Sequence, residues 1–306
     1  MSALPNTATG PVLGVEHTRP DFDVPAGACD CHVHVFGPHD RFRLSHDRLY
    51  MPGAALLADL IAHQRTLGLD RVVIVQPSPY GTDNSCMLDA LRQLGGKARG
   101  VAVVDARASA ETLHDLQEAG IRGLRINLET AGVTDPLAAR RHLEETAAQA
   151  APLGWHIQIY ADLGVIAALH DVISGLPVPV VFDHFARIRG AKGPDQPHLA
   201  ALLSLMHSGK AYVKLSAPRR ISDLPDHADA GEIAKILASA NPERLLWGSD
   251  WPHPGARPGI ARDPNRMEPF HTDDDGLALN RLNAWMGDAD LMRRILVENP
   301  ARLYGF

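Results

Sequence analysis

Two histidines on alternate positions of one apolar stretch are the first candidates for chemistry. His32 and His34 belong to the run 30–35, and both imidazoles should point the same way because side chains i and i+2 of a strand share a face. The pair suits two ligands of one divalent metal, with His184 and Asp250 as third and fourth ligands. The same four residues could also act without a metal. Asp250 would then be a general base, and the histidines would polarise a carbonyl or steady an anion.

Short β-rich runs alternate with helical patterns from residue 29 onward. The predicted strands cover 29–36, 71–78, 99–105, 123–129, 156–161, 178–185, 211–217 and 244–250. The predicted helices cover 56–67, 85–94, 110–119, 137–151, 163–174, 198–207, 231–240, 273–286 and 290–296. Eight strand–helix repeats in 306 residues predict an α/β fold, a (β/α)8 TIM barrel, with an open doubly wound sheet as the alternative. The open sheet is disfavoured because no glycine-rich phosphate loop follows the first strand.

Polar side chains fall on one face of most predicted strands, near the C-terminal ends where barrel enzymes place their active sites. This polar face holds Gln76, Ser78, Arg125, Asn127, His156, Gln158, Tyr160, Lys214, Ser216 and Asp250. The opposite face should pack against helices, and we place Cys31, Val33, Val35, Val73 and Val75 on it. Because buried polar groups are costly unless paired, we expect the polar set to form a network or to contact a substrate.

Several candidates have a second interpretation. Asp183 and His184 are adjacent at a strand end, so only one of them should face inward. Arginines within one predicted strand or just after two others offer forked donors that suit carboxylates, namely Arg125, Arg187, Arg219 and Arg220. Arg219 and Arg220 are neighbours, so at most one should face the pocket. Tyr160 is either a site hydroxyl or a packed aromatic with a satisfied hydroxyl.

Composition excludes several classes of protein. The net charge of −6 argues against a nucleic-acid surface, and no apolar run approaches the roughly 18 residues of a membrane span. Three cysteines without paired spacing predict reduced thiols and a cytoplasmic protein.

The first 28 residues, rich in proline and glycine and without a signal-peptide pattern, predict an extended arm before a single barrel domain at 29–306. Assembly into a homo-oligomer is left open.

Taken together, the motifs resemble the amidohydrolase superfamily, amidohydrolase-2 type. Within it they resemble the branch of 2-pyrone-4,6-dicarboxylate lactonase and the sugar-acid lactone hydrolases and isomerases. The matching stretches include DCHVHVFGP (30–38), RGLRIN (122–127), DHFAR (183–187), YVKLSAPRR (212–220) and WGSDWPHP (247–254), and the resemblance extends over nearly all of the chain after residue 28. It implies a (β/α)8 barrel, in agreement with the strand count.

The resemblance also implies roles for individual residues. Asp250 would activate the hydrolytic water, and His32, His34 and His184 would surround the lactone carbonyl with Tyr160 assisting. The residues expected to bind substrate carboxylates are Ser78, Arg125, Arg187 and Arg220, and we add Asn127 because it shares their face. The predicted substrate is a small anionic lactone: a carboxylated pyrone, a muconolactone or a sugar-acid lactone.

Two departures from the family pattern limit these expectations. Ala131 stands where the pyrone dicarboxylate enzyme has a further arginine, which puts that substrate in doubt. Tyr160 stands where metal-dependent relatives have a histidine, and no candidate is seen for their bridging carboxylated lysine. A binuclear centre is therefore not expected.

The alternatives that remain concern metal use and reaction type. Either no cofactor is required or one zinc binds to the three histidines and Asp250. Besides hydrolysis driven by Asp250, the chain could be a metal-dependent hydrolase or decarboxylase, a lactone isomerase, or a non-catalytic binder of organic acids.

Overall fold

Eight parallel strands form one closed sheet in the computed structural model, which describes residues 12–130, 132, 135–257 and 259–306. The strands are β1 (Cys29–Val33), β2 (Arg71–Val75), β3 (Ala98–Ala102), β4 (Ile121–Asn127), β5 (His156–Tyr160), β6 (Val180–Phe182), β7 (Ala211–Ser216) and β8 (Leu245–Gly248). Each pairs with the next along the chain. Val33 bridges Trp251 in parallel, and Asp250 N donates to His32 O at 2.9 Å, which closes the sheet. The (β/α)8 barrel predicted from the sequence is confirmed.

Helices follow the strands and cover the outside of the barrel. They are α1 (Leu57–Leu67), α2 (Ser85–Leu94), α3 (Ala110–Glu118), α4 (Pro136–Ala150), α5 (Leu163–Ala168), α6 (His170–Gly175), α7 (Leu199–His207), α8 (Ala228–Ala240), α9 (Asp275–Met286), α10 (Ala289–Arg293) and α11 (Asn299–Tyr304). A π-helical turn, Arg294–Glu298, joins α10 to α11. The single helix predicted over 163–174 is two helices, because Leu169 at φ −95° and ψ 1° leaves the helical conformation. None of the described helices is long and apolar enough to cross a membrane.

Local sequence signals account for several helix ends. Ser109 accepts a hydrogen bond from Thr112 N at 3.1 Å and so caps α3, as its position before the first turn predicts. Asp135 accepts from the first backbone N–H groups of α4. Gly68 ends α1 in the left-handed region at φ +72°, which glycine enters without the cost of a Cβ.

The lower part of the barrel interior is apolar. Its buried cluster comprises Cys29, Cys31, Val73, Val75, Val101, Val181, Tyr212, Leu246 and Tyr304. Three of these, Cys31, Val73 and Val75, were expected on the helix-facing side. Cys31 departs from strict alternation because the register of β1 against β2 shifts between Asp30 and Val33. The side assigned to Val73 and Val75 is wrong because β2 ends at Val75, so Gln76 and Ser78, which were expected on its inner face, lie beyond the strand. Gln76, expected on the inner face, instead donates to the carbonyls of Gly81 and Asp83 and supports the loop after β2.

The segment from Val12 to Ala28 lies against α9. Thr18 donates to Asp274 through its backbone N at 2.9 Å and through Oγ1 at 2.5 Å. Asp21 N donates to Asn280 Oδ1 at 2.9 Å. The first 11 residues of the predicted arm, and Ala131, lie outside the described residues.

Candidate active site

Four side chains from three strand ends converge above the apolar floor. Asp250 Oδ1 lies 3.8 Å from His32 Nε2, 3.7 Å from His34 Nε2 and 3.7 Å from His184 Nε2. All four residues are buried. Within the described part of the chain, His32 Nε2 and Asp250 Oδ1 have no hydrogen-bond partner. The structure therefore brings the four residues singled out in the sequence to one point.

Hydrogen bonds on the far side of two imidazoles set their orientation. His34 Nδ1 lies 2.8 Å from the carbonyl of Val75. A carbonyl only accepts, so Nδ1 carries the proton and Nε2 of neutral His34 presents a lone pair to Asp250. His184 Nδ1 lies 2.8 Å from Ser216 Oγ, a hydroxyl that can donate or accept. Burial lowers the pKa of His34, and it holds that of His184 well below its usual value, so both rings are neutral.

A buried polar network supports the third imidazole from below. His32 Nδ1 lies 3.2 Å from Asp183 Oδ1, and Lys214 Nζ lies 3.6 Å from the same oxygen and 2.6 Å from Gln158 Oε1. Burial would raise the pKa of Asp183, but His32 and Lys214 hold it well below its usual value. Burial lowers the pKa of His32 to about 4. The Nδ1 atom of neutral His32 thus lies between the ionised Asp183 and Lys214 Nζ, which is 3.4 Å away, while its Nε2 atom faces Asp250.

Asp183 and His184 both face the interior, which corrects the expectation that only one would. β6 ends at Phe182, and the next turn places four consecutive residues, His184–Arg187, in the left-handed region at φ 51°, 55°, 52° and 57°. This backbone costs non-glycine residues about 1–2 kcal/mol each. It breaks the alternation of the strand, so two neighbouring side chains enter the site together. Asp250 is also left-handed, at φ 67°.

Two adjacent arginines bind the second oxygen of Asp250. Arg219 Nη2 lies 3.0 Å and Arg220 Nη2 2.8 Å from Asp250 Oδ2. The expectation that at most one would face the pocket is wrong, because the 3-10 turn Pro218–Arg220 replaces a strand here and projects both side chains. Burial would raise the pKa of Asp250, but the charges of Arg220 and Arg219 hold it well below its usual value. Asp250 is therefore a carboxylate.

A cavity of about 610 Å³ opens above Asp250. Nine of the predicted site residues line it: His34, Ser78, Arg125, Asn127, Tyr160, His184, Arg187, Arg220 and Asp250. His32 is fully buried and lies beneath the wall. Tyr160, which could have been a packed aromatic, presents its hydroxyl 3.4 Å from Arg220 Nη1.

Tyr50, Arg262 and His271 are among the wall residues that the sequence did not indicate. They come from the loops after β1 and β8. Arg262 stacks over the Tyr50 ring at 4.0 Å from its centroid and pairs with Glu268. No strand pattern surrounds these residues, so the sequence carried no signal for their position.

The described cavity wall is strongly cationic. Five arginines (Arg125, Arg187, Arg219, Arg220 and Arg262) face two carboxylates, Glu129 and Asp250. Arg187 Nη2 pairs with Glu129 at 2.9 Å. The Nε–H groups of Arg125 and Arg187 are buried and have no hydrogen-bond partner in the described ranges. Unpartnered guanidinium N–H groups are donors that suit an anionic group.

The donor set beneath the cavity fits one divalent cation. The ligand atoms of His32, His34 and Asp250 lie within 4.8 Å of one another. Imidazole nitrogens and a carboxylate oxygen are ligands that zinc takes in proteins, and His184 Nε2 lies 3.7 Å from the same Asp250 oxygen. His32, Asp183 and His184 form a second group of candidate ligands that shares His32, and the Tyr160 hydroxyl is engaged with Arg220.

A (β/α)8 barrel that carries histidines and an aspartate at its strand ends has the architecture of a hydrolytic enzyme. A family model described as "Amidohydrolase" matches residues 29–306, and the chain belongs to this family.

Individual proteins resemble the chain over most of its length. A 2-pyrone-4,6-dicarboxylate hydrolase from Comamonas testosteroni is 37% identical, with 94% of this chain and 93% of the relative covered. A 4-sulfomuconolactone hydrolase from Rhizobium radiobacter is 35% identical, with 93% and 92% covered. A crystal structure of a probable 2-pyrone-4,6-dicarboxylic acid hydrolase from Acinetobacter baumannii with citric acid bound is 27% identical. It superposes with a TM-score of 0.77 and coverage of 92% of this chain and 100% of that one.

Proposed function

We propose that this protein is an enzyme that opens the ring of a small anionic lactone by hydrolysis. The observation that carries the proposal is Asp250 Oδ1, a buried and unpartnered carboxylate oxygen beneath a cavity rich in arginine. The two curated relatives are hydrolases, one of a dicarboxylate and one of a sulfomuconolactone, so both substrates bear acidic groups. The unpartnered Nε–H groups of Arg125 and Arg187 suit such a group here.

In the first step Asp250 Oδ1 accepts a proton from a water molecule while the water oxygen bonds to the lactone carbonyl carbon. The carbonyl π electrons move to its oxygen. Arg220 and the Tyr160 hydroxyl are placed to stabilise that oxyanion, an effect worth about 3–4 kcal/mol per donor. His184 can join them, because Ser216 can donate to its Nδ1 and leave the proton on Nε2. Neutral His34 would accept rather than donate there.

In the second step the oxyanion reforms the carbonyl and the ring C–O bond breaks. The departing oxygen takes the proton that Asp250 had accepted, which regenerates the carboxylate. The product carries a hydroxyl or enol and a new carboxylic acid, which ionises to a carboxylate and releases the second proton of the water. Arg125 and Arg187 hold the acidic substituent and keep the ring carbonyl above Asp250 throughout.

A metal-assisted form of this hydrolysis is the second candidate, and the unpartnered His32 Nε2 favours it. His32, His34, His184 and Asp250 would hold the ion. A divalent cation there would supply a bound water of lowered pKa and would polarise the lactone carbonyl. A decarboxylase would use the same ligands.

We also propose the cellular compartment and the domain organisation of the enzyme. We place it in the cytoplasm, where its three buried and unpaired cysteines would stay reduced. We assign residues 29–306 to one barrel domain preceded by an arm, and we leave open whether chains associate.

The test is acid release from a panel of lactones by protein stripped of metal, with and without added zinc. The panel contains 2-pyrone-4,6-dicarboxylate, muconolactones and sugar-acid lactones. Release from one member without zinc supports the Asp250 mechanism, and release only with zinc supports the metal-assisted form. NMR of the products separates ring opening from isomerisation. Ligand-induced thermal stabilisation without any turnover would contradict the enzymatic proposal and indicate a binder.

A further inference from the structure

A second cluster of buried histidine and carboxylate side chains lies on the helix side of β1. His63 Nε2 of α1 is 3.7 Å from Asp275 Oδ2 at the start of α9. His17 Nδ1, from the N-terminal segment, is 4.0 Å from the same oxygen. The ligand atoms of these three residues lie within 4.8 Å of one another. None of them lines the cavity above Asp250.

Several buried polar atoms of this cluster lack hydrogen-bond partners among the described residues, although His17 Nδ1 accepts from Asp275 N at 3.2 Å and Asp275 Oδ2 lies 2.9 Å from His253 Nε2. His63 is fully buried, and neither of its ring nitrogens has a hydrogen-bond partner among the described residues. Asp30 Oδ2, equally buried and unpartnered, is 3.9 Å from His63 Nε2. Its other oxygen accepts from the backbone N–H groups of His32 and Ser249. Separations of 3.7–4.0 Å are too long for hydrogen bonds, and buried polar groups without partners are rare in native proteins.

The charge of the cluster is also unbalanced. Asp30 and Asp275 are both buried, and no lysine or arginine in the described ranges pairs with either. Their neighbours are imidazoles, of which His253 is the nearest, with Nε2 2.9 Å from Asp275 Oδ2. Buried carboxylates are normally paired with a cationic side chain or bound to a metal ion. Despite burial, Asp275 raises the pKa of His253, so this imidazole offsets the charge of Asp275, whereas Asp30 Oδ2 and both ring nitrogens of His63 remain without a partner among the described residues.

We propose that His17, His63 and Asp275 bind one divalent cation of the zinc class, separate from any ion at Asp250. Imidazole and carboxylate ligands suit such an ion. The gaps to Asp275 Oδ2, 3.7 Å from His63 Nε2 and 4.0 Å from His17 Nδ1, are no more than about twice a zinc–ligand bond of about 2.0–2.2 Å. One ion can therefore bridge them, in place of the hydrogen bond that His17 Nδ1 accepts from Asp275 N. His253 would orient the Asp275 carboxylate, and Asp30 would add negative charge behind His63. The ion would tie the N-terminal segment and α1 to α9.

The experiment measures zinc content by mass spectrometry after equilibration with zinc and removal of the excess. It compares the full-length wild-type chain with His63→Gln, with His34→Gln and with the double variant. We expect His34→Gln to retain one zinc per chain and the double variant to lose it. Added zinc should raise the melting temperature of His34→Gln and leave that of the double variant unchanged. A zinc-free His34→Gln protein, or equal zinc in His34→Gln and the double variant, would overturn the proposal.

Two controls keep the result interpretable. His207→Gln removes an exposed histidine at the end of α7 and should leave the zinc content unchanged. If circular dichroism shows that His63→Gln misfolds, His17→Gln replaces it, because this ligand lies on the N-terminal segment outside the barrel. It should weaken zinc binding about tenfold or more, and unaltered binding would count against the site. Because no lactone is used, the outcome is independent of the proposed hydrolase activity.

Discussion

Arg220 and Asp250 form an ion pair that uses only one oxygen of the carboxylate. Arg220 Nη2 and Nε lie 2.8 and 3.3 Å from Asp250 Oδ2, and Nη2 also donates to the carbonyl of Pro254 at 2.6 Å. The other oxygen, Oδ1, faces the Nε2 atoms of three histidines and has no hydrogen bond in the described structure. The pair thus fixes the carboxylate and keeps it ionised while leaving one oxygen available for chemistry.

Replacement of Asp250 by asparagine should therefore preserve the fold and lower kcat by several orders of magnitude. The amide keeps the shape of the side chain but cannot accept the proton of the attacking water. The measurement is the turnover rate on whichever lactone the panel identifies, with circular dichroism to check folding. Asp171→Asn, at a fully exposed position, is the matched control and should retain wild-type turnover. Near-normal turnover by Asp250→Asn would refute the role of Asp250 as the base.

Replacement of Arg187 by lysine should weaken binding of the anionic substrate. Lysine lacks the Nε–H that is unpartnered in the structure, and it cannot donate as a fork. A hydrogen bond to a charged group is worth about 1.5–3 kcal/mol, so KM should rise about tenfold to a hundredfold with a smaller effect on kcat. Steady-state kinetics provide the measurement. Arg140→Lys, on the exposed face of α4, is the control and should leave KM unchanged. An unaltered KM in Arg187→Lys would exclude it from the anion site.

The alternation of polar and apolar residues predicts the barrel and much of its site. In β4, β5 and β7 it correctly places Arg125, Tyr160 and Ser216 on the interior face. This succeeds because regular strands obey a period of two, so that side-chain direction follows from sequence position alone. The roles assigned to these residues remain predictions.

The predictions of side-chain direction fail where the backbone departs from the two-residue period of a regular strand. Asp183 and His184 enter the site together because a left-handed turn follows β6, and Cys31 faces inward because the register of β1 shifts. Arg262 reaches the cavity through the path of a loop, which no local pattern specifies. Such features depend on contacts between distant segments and on strain that the rest of the fold compensates.

The free energy of unfolding should decrease as the pH is lowered from 6.5 to 3. His156 should account for part of this decrease. Burial lowers the pKa of His156 to about 3, against about 6.5 in an unfolded chain. Above pH 6.5 the residue is neutral in both states. Between the two values only the unfolded chain takes up the proton, so the free energy of unfolding falls by about 1.4 kcal/mol per pH unit. His156→Gln removes this contribution.

Urea unfolding at pH 7 and pH 5 tests this expectation. The loss of stability between the two pH values should be about 2 kcal/mol smaller in His156→Gln than in the wild type. Some loss should remain, because burial also lowers the pKa of His32 to about 4. His114→Gln, at an exposed position on α3, should follow the wild type. An identical pH dependence for His156→Gln and the wild type would show that His156 is not held neutral in the folded protein.

Replacement of Gly276 by alanine should displace the N-terminal segment from α9. A Cβ at this position would lie 1.6 Å from the carbonyl oxygen of Thr18, and the obstacle is backbone rather than a movable side chain. The segment would have to move away, with loss of the two hydrogen bonds from Thr18 to Asp274. We expect a loss of about 1–3 kcal/mol in the free energy of unfolding, measured by urea denaturation.

Gly175→Ala is the matched control for this substitution. An added Cβ there meets no atom within 4 Å, and the residue lies at the end of α6 without a positive φ. Removal of glycine from a helix should stabilise the protein by about 0.5–1 kcal/mol. The two substitutions add the same methyl group to a helical glycine, so an opposite sign in their effects would come from the contact with Thr18. An unchanged free energy of unfolding in Gly276→Ala would contradict close packing of the N-terminal segment on α9.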